Sequence, residues 1–255
     1  MTSRRFWMIF GGVAISILLL VIAVYMSGVG TACYLRIASV HDADALVPFA
    51  QARLSSKNAL VRSEAARALG SIGTPSAAAN ADLLRALKDE SPQVAANAAW
   101  ALGNIQTPDL DGRPSISEIV AALIEGLAHK DGEVRRYCAY ALSLYGSKAS
   151  AALPALTDKL ADEHMAYMAA RALGEMGSVA RDTIPQLTAL LSSPNTATRA
   201  EAAIALANLG PLPEATVAKI KGLLNDDEQL VRDTAQRALA WVVVQEKVVQ
   251  DKAVE

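Results

Sequence analysis

Arginine, tyrosine and tryptophan are the side chains in this chain best suited to chemistry, and they follow a spacing. Aromatic residues make up only 5% of the 255 residues. Yet Arg67, Trp100, Tyr140 and Arg171 follow one another at intervals of 33, 40 and 31, and Ile204 and Arg237 continue the series at steps of 33. Arg136, Tyr137 and Tyr167 flank it. These side chains join a flat apolar body to a polar end and are enriched at interaction hot spots. The chemistry they offer is recognition of a protein or peptide partner. Catalysis has less to draw on. His41, His129 and His164 match no metal-ligand spacing, and Glu163–His164 reads as a surface pair. No Ser/His/Asp nucleophile pattern and no phosphate-cradling glycine loop occurs. Asp109, Asp111 and Gly112 form half of a calcium loop whose remainder is missing, so Gln106–Ser117 reads as a surface insertion rich in turn formers. No cofactor or metal is implied.

The elements that must position these residues are six copies of one pattern. They run VRSEAARALGSIG from Val61, VAANAAWALGNIQ from Val94, VRRYCAYALSLYG from Val134, MAYMAARALGEMG from Met165, TRAEAAIALANLG from Thr198 and VRDTAQRALAWVV from Val231. A period in this range marks a solenoid, whose units cannot bury their apolar sides alone. Leu69, Leu102, Leu142, Leu173, Leu206 and Leu239 share one column, and Ala68, Ala101, Ala141, Ala172, Ala205 and Ala238 share the next. Val61, Ala65, Ala68, Leu69 and Ile72 fall on one side of a 3.6-residue helix, which is the buried stripe. The Arg67 column faces away from it.

Three places ahead of each copy stands Asn58, Ser91, Asp131, Asp162, Asn195 or Glu228. All but the last are preferred helix N-caps. Gly73, Gly146, Gly177 and Gly210 follow the helices, where a left-handed residue ends the last turn. A second amphipathic segment precedes each copy: Ala45–Ser55, Ala78–Lys88, Ile116–Ala128, Ala149–Ala161, Ala180–Leu191 and Pro213–Leu224. Pro48, Pro154 and Pro185 recur in them at one place and predict a kink. The reading is an all-α solenoid, a right-handed superhelix of about six helical hairpins.

The D/N-x-x-V-R-x-x-A-A-x-A-L-G-x-I-G pattern resembles the HEAT repeat in its short form named after the phycobilisome (PBS) lyases, over residues 41–243. The resemblance implies a scaffold, with an enzyme or enzyme accessory subunit related to PBS lyases as the alternative. Hydroxylases similar to this fold, deoxyhypusine hydroxylase among them, carry iron-holding His-Glu pairs on inner helices. The equivalent places here are Ser63-Glu64, Ala96-Asn97, Arg136-Tyr137, Tyr167-Met168, Ala200-Glu201 and Asp233-Thr234, none with a histidine. Such a catalytic site is therefore not expected. Partner binding is assigned to Arg67, Trp100, Arg136, Tyr137, Tyr140, Tyr167 and Arg171 on the concave face.

Phe6–Gly30 carries no charged side chain, and about 20 apolar residues suffice to cross a bilayer. A transmembrane signal anchor is the expectation. Gly28-Val29-Gly30 keeps a cleaved signal peptide as the competing reading, against which the length of the run counts. Arg4 and Arg5 ahead of it, against Arg36 behind, place the N-terminus in the cytoplasm and the repeats in the periplasm or outside the cell. The expected divisions are a short cytoplasmic N-terminus (1–5), the anchor (6–30), a linker (31–40), the repeat domain (41–243) and a C-terminal capping tail (244–255). A net charge of −2 without a basic run argues against a nucleic-acid partner. Two cysteines exclude a disulfide framework, and Cys138 falls in a buried column.

Overall fold

Alanine and glycine at fixed intervals let helices approach until their backbones touch, and the fold is built on that contact. The computed structural model describes residues 43–106 and 114–254, and every regular element among them is helical. In chain order these are α1 (Ala43–Arg53), α2 (Ala59–Ile72), α3 (Asn80–Ala86), α4 (Pro92–Ile105), α5 (Ile116–Gly126), α6 (Gly132–Tyr145), α7 (Leu153–Lys159), α8 (Ala166–Met176), α9 (Ile184–Leu190), α10 (Thr196–Asn208), α11 (Glu214–Gly222) and α12 (Gln229–Val254). Each odd-numbered helix packs on the even-numbered one that follows, so the described residues form six hairpins. The even helices also pack on one another in succession from α2 to α12, making a continuous inner layer. This is the all-α solenoid that the repeat period requires.

The inner layer is tight. Ala66, Ala99, Ala139, Ala170 and Ala203 are all fully buried, as are the leucines from Leu69 to Leu206 that fill the space toward the odd helices. Each buried leucine contributes roughly 1.5–3 kcal/mol. A Cβ at Gly103 would stand 2.8 Å from the Ala141 Cα, and one at Gly174 would stand 2.6 Å from the Ala205 Cα. Neither site can hold a side chain without separating two backbones.

The turns explain the arginine that recurs at the start of the inner helices. Arg62 donates to the carbonyls of Ser56 and Lys57 in the turn before its own helix, and Arg135, Arg199 and Arg232 repeat the arrangement. Two of them also reach the next unit. Arg62 grips both oxygens of Asp89 at 2.7 and 2.8 Å, and Arg199 grips both oxygens of Asp226 at 2.8 Å. These four side chains are nearly buried, and paired bonds of this kind are about twice as strong as neutral ones. The hydrogen bonds from Arg199 hold the Asp226 carboxyl below the ordinary aspartate range, against a smaller opposing effect of burial. At Asp89 burial is the largest single influence and pushes upward, but Arg62 and the Ser91 N–H together outweigh it and the net shift is downward.

Several local expectations change. Asn58, Asp131 and Asn195 cap their helices through the side chain. Asp162 does not cap α8: its side chain accepts the His164 N–H within a turn, and the helix begins three residues later than the other copies suggest. Pro154 and Pro185 do not kink a long helix. Each stands in the first turn of α7 or α9, straight after a 3₁₀ stretch at Gly146–Ala152 or Gly177–Thr183, where a missing N–H costs nothing. Pro48 alone lies inside its helix. Gly146 ends α6 with φ 54° and ψ −133°, a region open only to glycine rather than the left-handed helical well.

The membrane localisation is corrected. Among the described residues no helix is long and apolar enough to cross a membrane. All eleven helices from α1 to α11 are far too short for the roughly 20 residues a span requires, and α12, though 26 residues long, carries charged side chains throughout. The run at 6–30, its flanking divisions, most of the insertion at 106–117 and Cys33 lie outside the described residues.

Two outcomes follow from this packing. Gly174→Val should lower stability by about 2–3 kcal/mol in thermal or urea unfolding, because the new side chain meets backbone rather than a movable side chain; an unchanged midpoint contradicts the close approach. Asp226→Asn should cost about 1–2 kcal/mol at pH 7. Because the folded pKa is depressed, the wild-type advantage is present above the unfolded aspartate range and is lost as pH falls through the folded value. Paired melts should therefore converge below about pH 4.

Candidate functional site

Three side-chain columns of the inner helices point away from the odd helices. Four residues beyond the Arg67 column stand Ser71, Asn104, Leu144, Glu175, Asn208 and Trp241; three residues before it stand Glu64, Asn97, Tyr137, Met168, Glu201 and Thr234. In a solenoid this face is the concave one.

The seven residues assigned to partner binding all lie on these inner helices, but packing occupies several of them. Trp100 is half-buried and lies across Gly70, where a Cβ would meet its Cζ3 at 2.6 Å. Arg67 is held by Glu64 at 2.7 Å on its own helix. Arg136 pairs with Glu133 and stacks on the Tyr137 ring at 5.0 Å. Hydrogen bonding to Glu133 raises the Arg136 pKa, and the Tyr167 hydroxyl adds to that. Tyr137 packs partly against the core. Arg171 is different: it is exposed and sits 5.9 Å from the Tyr140 ring. The structure therefore brings Arg136 with Tyr137 and Tyr167, and Tyr140 with Arg171, into two neighbouring groups, while Trp100 and Arg67 serve the first two units.

An open trough lies toward the C-terminus. One depression of about 180 Å³ is lined by Arg171, Gly174, Glu175, Glu201, Ile204 and Asn208 among others. A second, also about 180 Å³, is lined by Ile204, Ala207, Asn208, Arg237, Ala238 and Trp241. Ile204 and Asn208 belong to both, so the two run together across α8, α10 and α12. Burial raises the Glu201 pKa and Glu175 adds to the rise, while Arg171 and Arg237 oppose it. Trp241 is 49% exposed. Trp241 was not among the residues assigned to partner binding; its column, four residues beyond Arg237, puts it on this face.

The remaining polar groups are structural. Asn97 donates to the Ser63 carbonyl and hydroxyl, and the buried Tyr145 hydroxyl donates to the Leu102 carbonyl at 2.8 Å. His129 accepts the Asp131 N–H through Nδ1. His164 is exposed in its turn, and His41 is outside the described residues. Among the described residues no three His, Cys, Asp or Glu side chains gather as metal ligands.

Comparison with known proteins gives the fold a family. A HEAT-repeat profile matches residues 80–167 and 161–240, and a PBS lyase HEAT-like repeat profile matches 61–89. No curated protein matches the chain. Among solved structures, the CpcE–CpcF complex of phycocyanin lyase from Nostoc sp. is 25% identical, covers 77% of this chain and 76% of its own, and has a TM-score of 0.59. An engineered protein is 27% identical, covers 81% of this chain and 98% of its own, and has a TM-score of 0.57. A designed armadillo repeat protein in complex with the peptide (KR)4 is 20% identical over 77% of this chain and 99% of its own, with a TM-score of 0.58, and is alike in fold alone.

Cys138 gives a direct check on the packing beneath this face. It is fully buried beside Gly126, and desolvation pushes its thiol up to about 12. In a Cys33→Ser chain it should resist a thiol reagent at pH 8 until denaturant is added, since thiolate is the reacting form. Rapid modification of the folded chain contradicts the burial.

Proposed function

The chain belongs to the HEAT-repeat family, and from that premise we propose that it is a non-catalytic scaffold whose concave face binds a protein or peptide partner. The observation that carries this reading is the row of amphipathic and cationic side chains along successive inner helices, among which Tyr140 and Arg171 are held together by a ring contact. A rigid stack presents such a row at fixed spacing, which lowers the ordering cost of binding an extended partner. The binding residues proposed are Arg67, Trp100, Arg136, Tyr137, Tyr140, Tyr167 and Arg171. Arg136, Tyr140 and Arg171 are the ones whose removal should tell most, since Trp100 also covers Gly70.

A second reading has one specific support: the similarity to the phycocyanin lyase complex, together with the PBS lyase HEAT-like repeat at 61–89. Under it the chain is an enzyme or an accessory subunit related to PBS lyases. The absorption spectrum and metal content of the purified chain separate the two. A stoichiometric chromophore or metal favours this second reading.

For the first reading, crosslinking followed by affinity capture with the full chain should recover a defined partner. Arg171→Glu and Tyr140→Ala should each reduce recovery at least tenfold while helical circular dichroism and melting temperature stay near the wild-type values. Recovery that falls only in step with loss of the fold contradicts a binding role for this face.

A further inference from the structure

Among the described residues most guanidinium groups are committed. Arg67 and Arg136 are neutralised by Glu64 and Glu133. Arg62, Arg135, Arg199 and Arg232 are spent on turn carbonyls. Arg171 and Arg237 are exposed, both on inner helices, and no carboxylate of the described residues lies within ion-pair distance of either. Arg237 donates only to the Thr234 hydroxyl, on its own helix. Between the two run the joined depressions floored by Ile204 and Asn208, closed at one end by the exposed Trp241.

We propose that this trough across α8, α10 and α12 seats an extended acidic segment of a partner protein, with carboxylates on Arg171 and Arg237 and an apolar side chain between them on Ile204 and Trp241. The proposal rests on the concave-face reading and gives its partner a chemistry. Packed helix axes lie 8–10 Å apart, so two steps of the inner layer separate the arginines by roughly 16–20 Å. An extended chain advances about 3.3 Å per residue and shows every second side chain to one face, so two acidic residues about six places apart would reach both. Glu175 and Glu201 line the same trough, and the half-buried Glu201 feels the charge of both arginines, but neither carboxylate lies within ion-pair distance of them, so both guanidinium groups keep their direct hydrogen-bonding positions open to a partner. A basic segment would bring its charges against the two uncommitted guanidinium groups, which disfavours it.

A second copy stacked end to end on α12 is a poorer occupant. The column that contacts the next unit is a fully buried alanine at Ala66, Ala99, Ala139, Ala170 and Ala203, but in α12 it becomes the exposed Gln236. The stacking column is thus polar at Gln236, although Leu230, Val243 and Val244 are also exposed on α12, and a second copy is therefore an outcome of the test.

The test uses the full chain and a fluorescein-labelled octapeptide with glutamate at positions 1 and 7, leucine at 3 and 5 and serine elsewhere, so that all four lie on one face of an extended chain; the counter-probe carries lysine in place of glutamate, and both are read by fluorescence anisotropy. The acidic probe should bind saturably and more weakly as salt rises. Arg171→Glu and Arg237→Glu should each weaken it at least tenfold and Trp241→Ala several-fold, with melting temperatures unchanged. Arg85→Glu, on the outer helix α3, should bind as wild type does. Equal or tighter binding of the lysine probe, binding that survives both charge reversals, or no saturation up to about 1 mM overturns the proposal. Loss with Arg136→Glu and Tyr140→Ala but not with Arg237→Glu overturns the trough and leaves the concave-face reading standing. A concentration-dependent dimer in sedimentation that Arg237→Glu or Trp241→Ala abolishes assigns the trough to a second copy, and also overturns it.

Discussion

Backbone contact between consecutive inner helices is the constraint on which the rest depends. Where Gly103 meets Ala141 and Gly174 meets Ala205, two helices stand closer than any side chain would allow. That proximity sets the small spacing of the inner layer, whose helices pack on one another in succession, while the shorter odd helices pack mainly on the even ones. A layered stack with one face tighter than the other must curve, and the tighter face becomes the concave one. The close approach of Gly174 to Ala205 thus sets how near Arg171 and Ile204 stand to each other across the trough that all four line. The Arg–Asp pairs then tie turn to turn without contributing to that face.

The solenoid was legible in the sequence because its signal is repeated six times. Any single copy, such as TRAEAAIALANLG, is an ordinary amphipathic helix; six aligned copies separate the buried columns from the open ones. The odd helices were less legible. Their 3₁₀ leads at Gly146–Ala152 and Gly177–Thr183 carry the same small residues as an α-helix, and proline reads equally well as a kink or as a first-turn residue. Asp162 has the residue type of a cap, yet an extra turn through Met165 displaces the helix start, and residue type alone does not count turns.

The site was legible as a column and not as a surface. Spacing gives Trp100, Tyr140 and Arg171 equivalent places on successive inner helices, but how much of each remains available depends on the neighbouring unit. Trp100 is drawn over Gly70 because glycine leaves a gap there, a fact about two repeats that neither states alone. Arg67 and Arg136 lose their freedom to acids three residues away, which a helical reading could have found. Trp241 is hard to read from sequence because ALAWVV departs from the repeat, with tryptophan where the other copies carry Ser71, Asn104, Leu144, Glu175 or Asn208. The departure marks the end of the array and also leaves a large aromatic side chain uncovered beside Arg237.

The central claim is that partner recognition resides on the inner helices and that the outer helices and turns only build the curve. Amide hydrogen exchange of the full chain, with and without its crosslink-identified partner, measures this directly. The account predicts added protection confined to the inner helices α2, α4, α6, α8, α10 and α12, with α3, α7 and α9 exchanging at the same rate in both states. Protection that falls instead on the outer helices, with the inner layer unchanged, would contradict it.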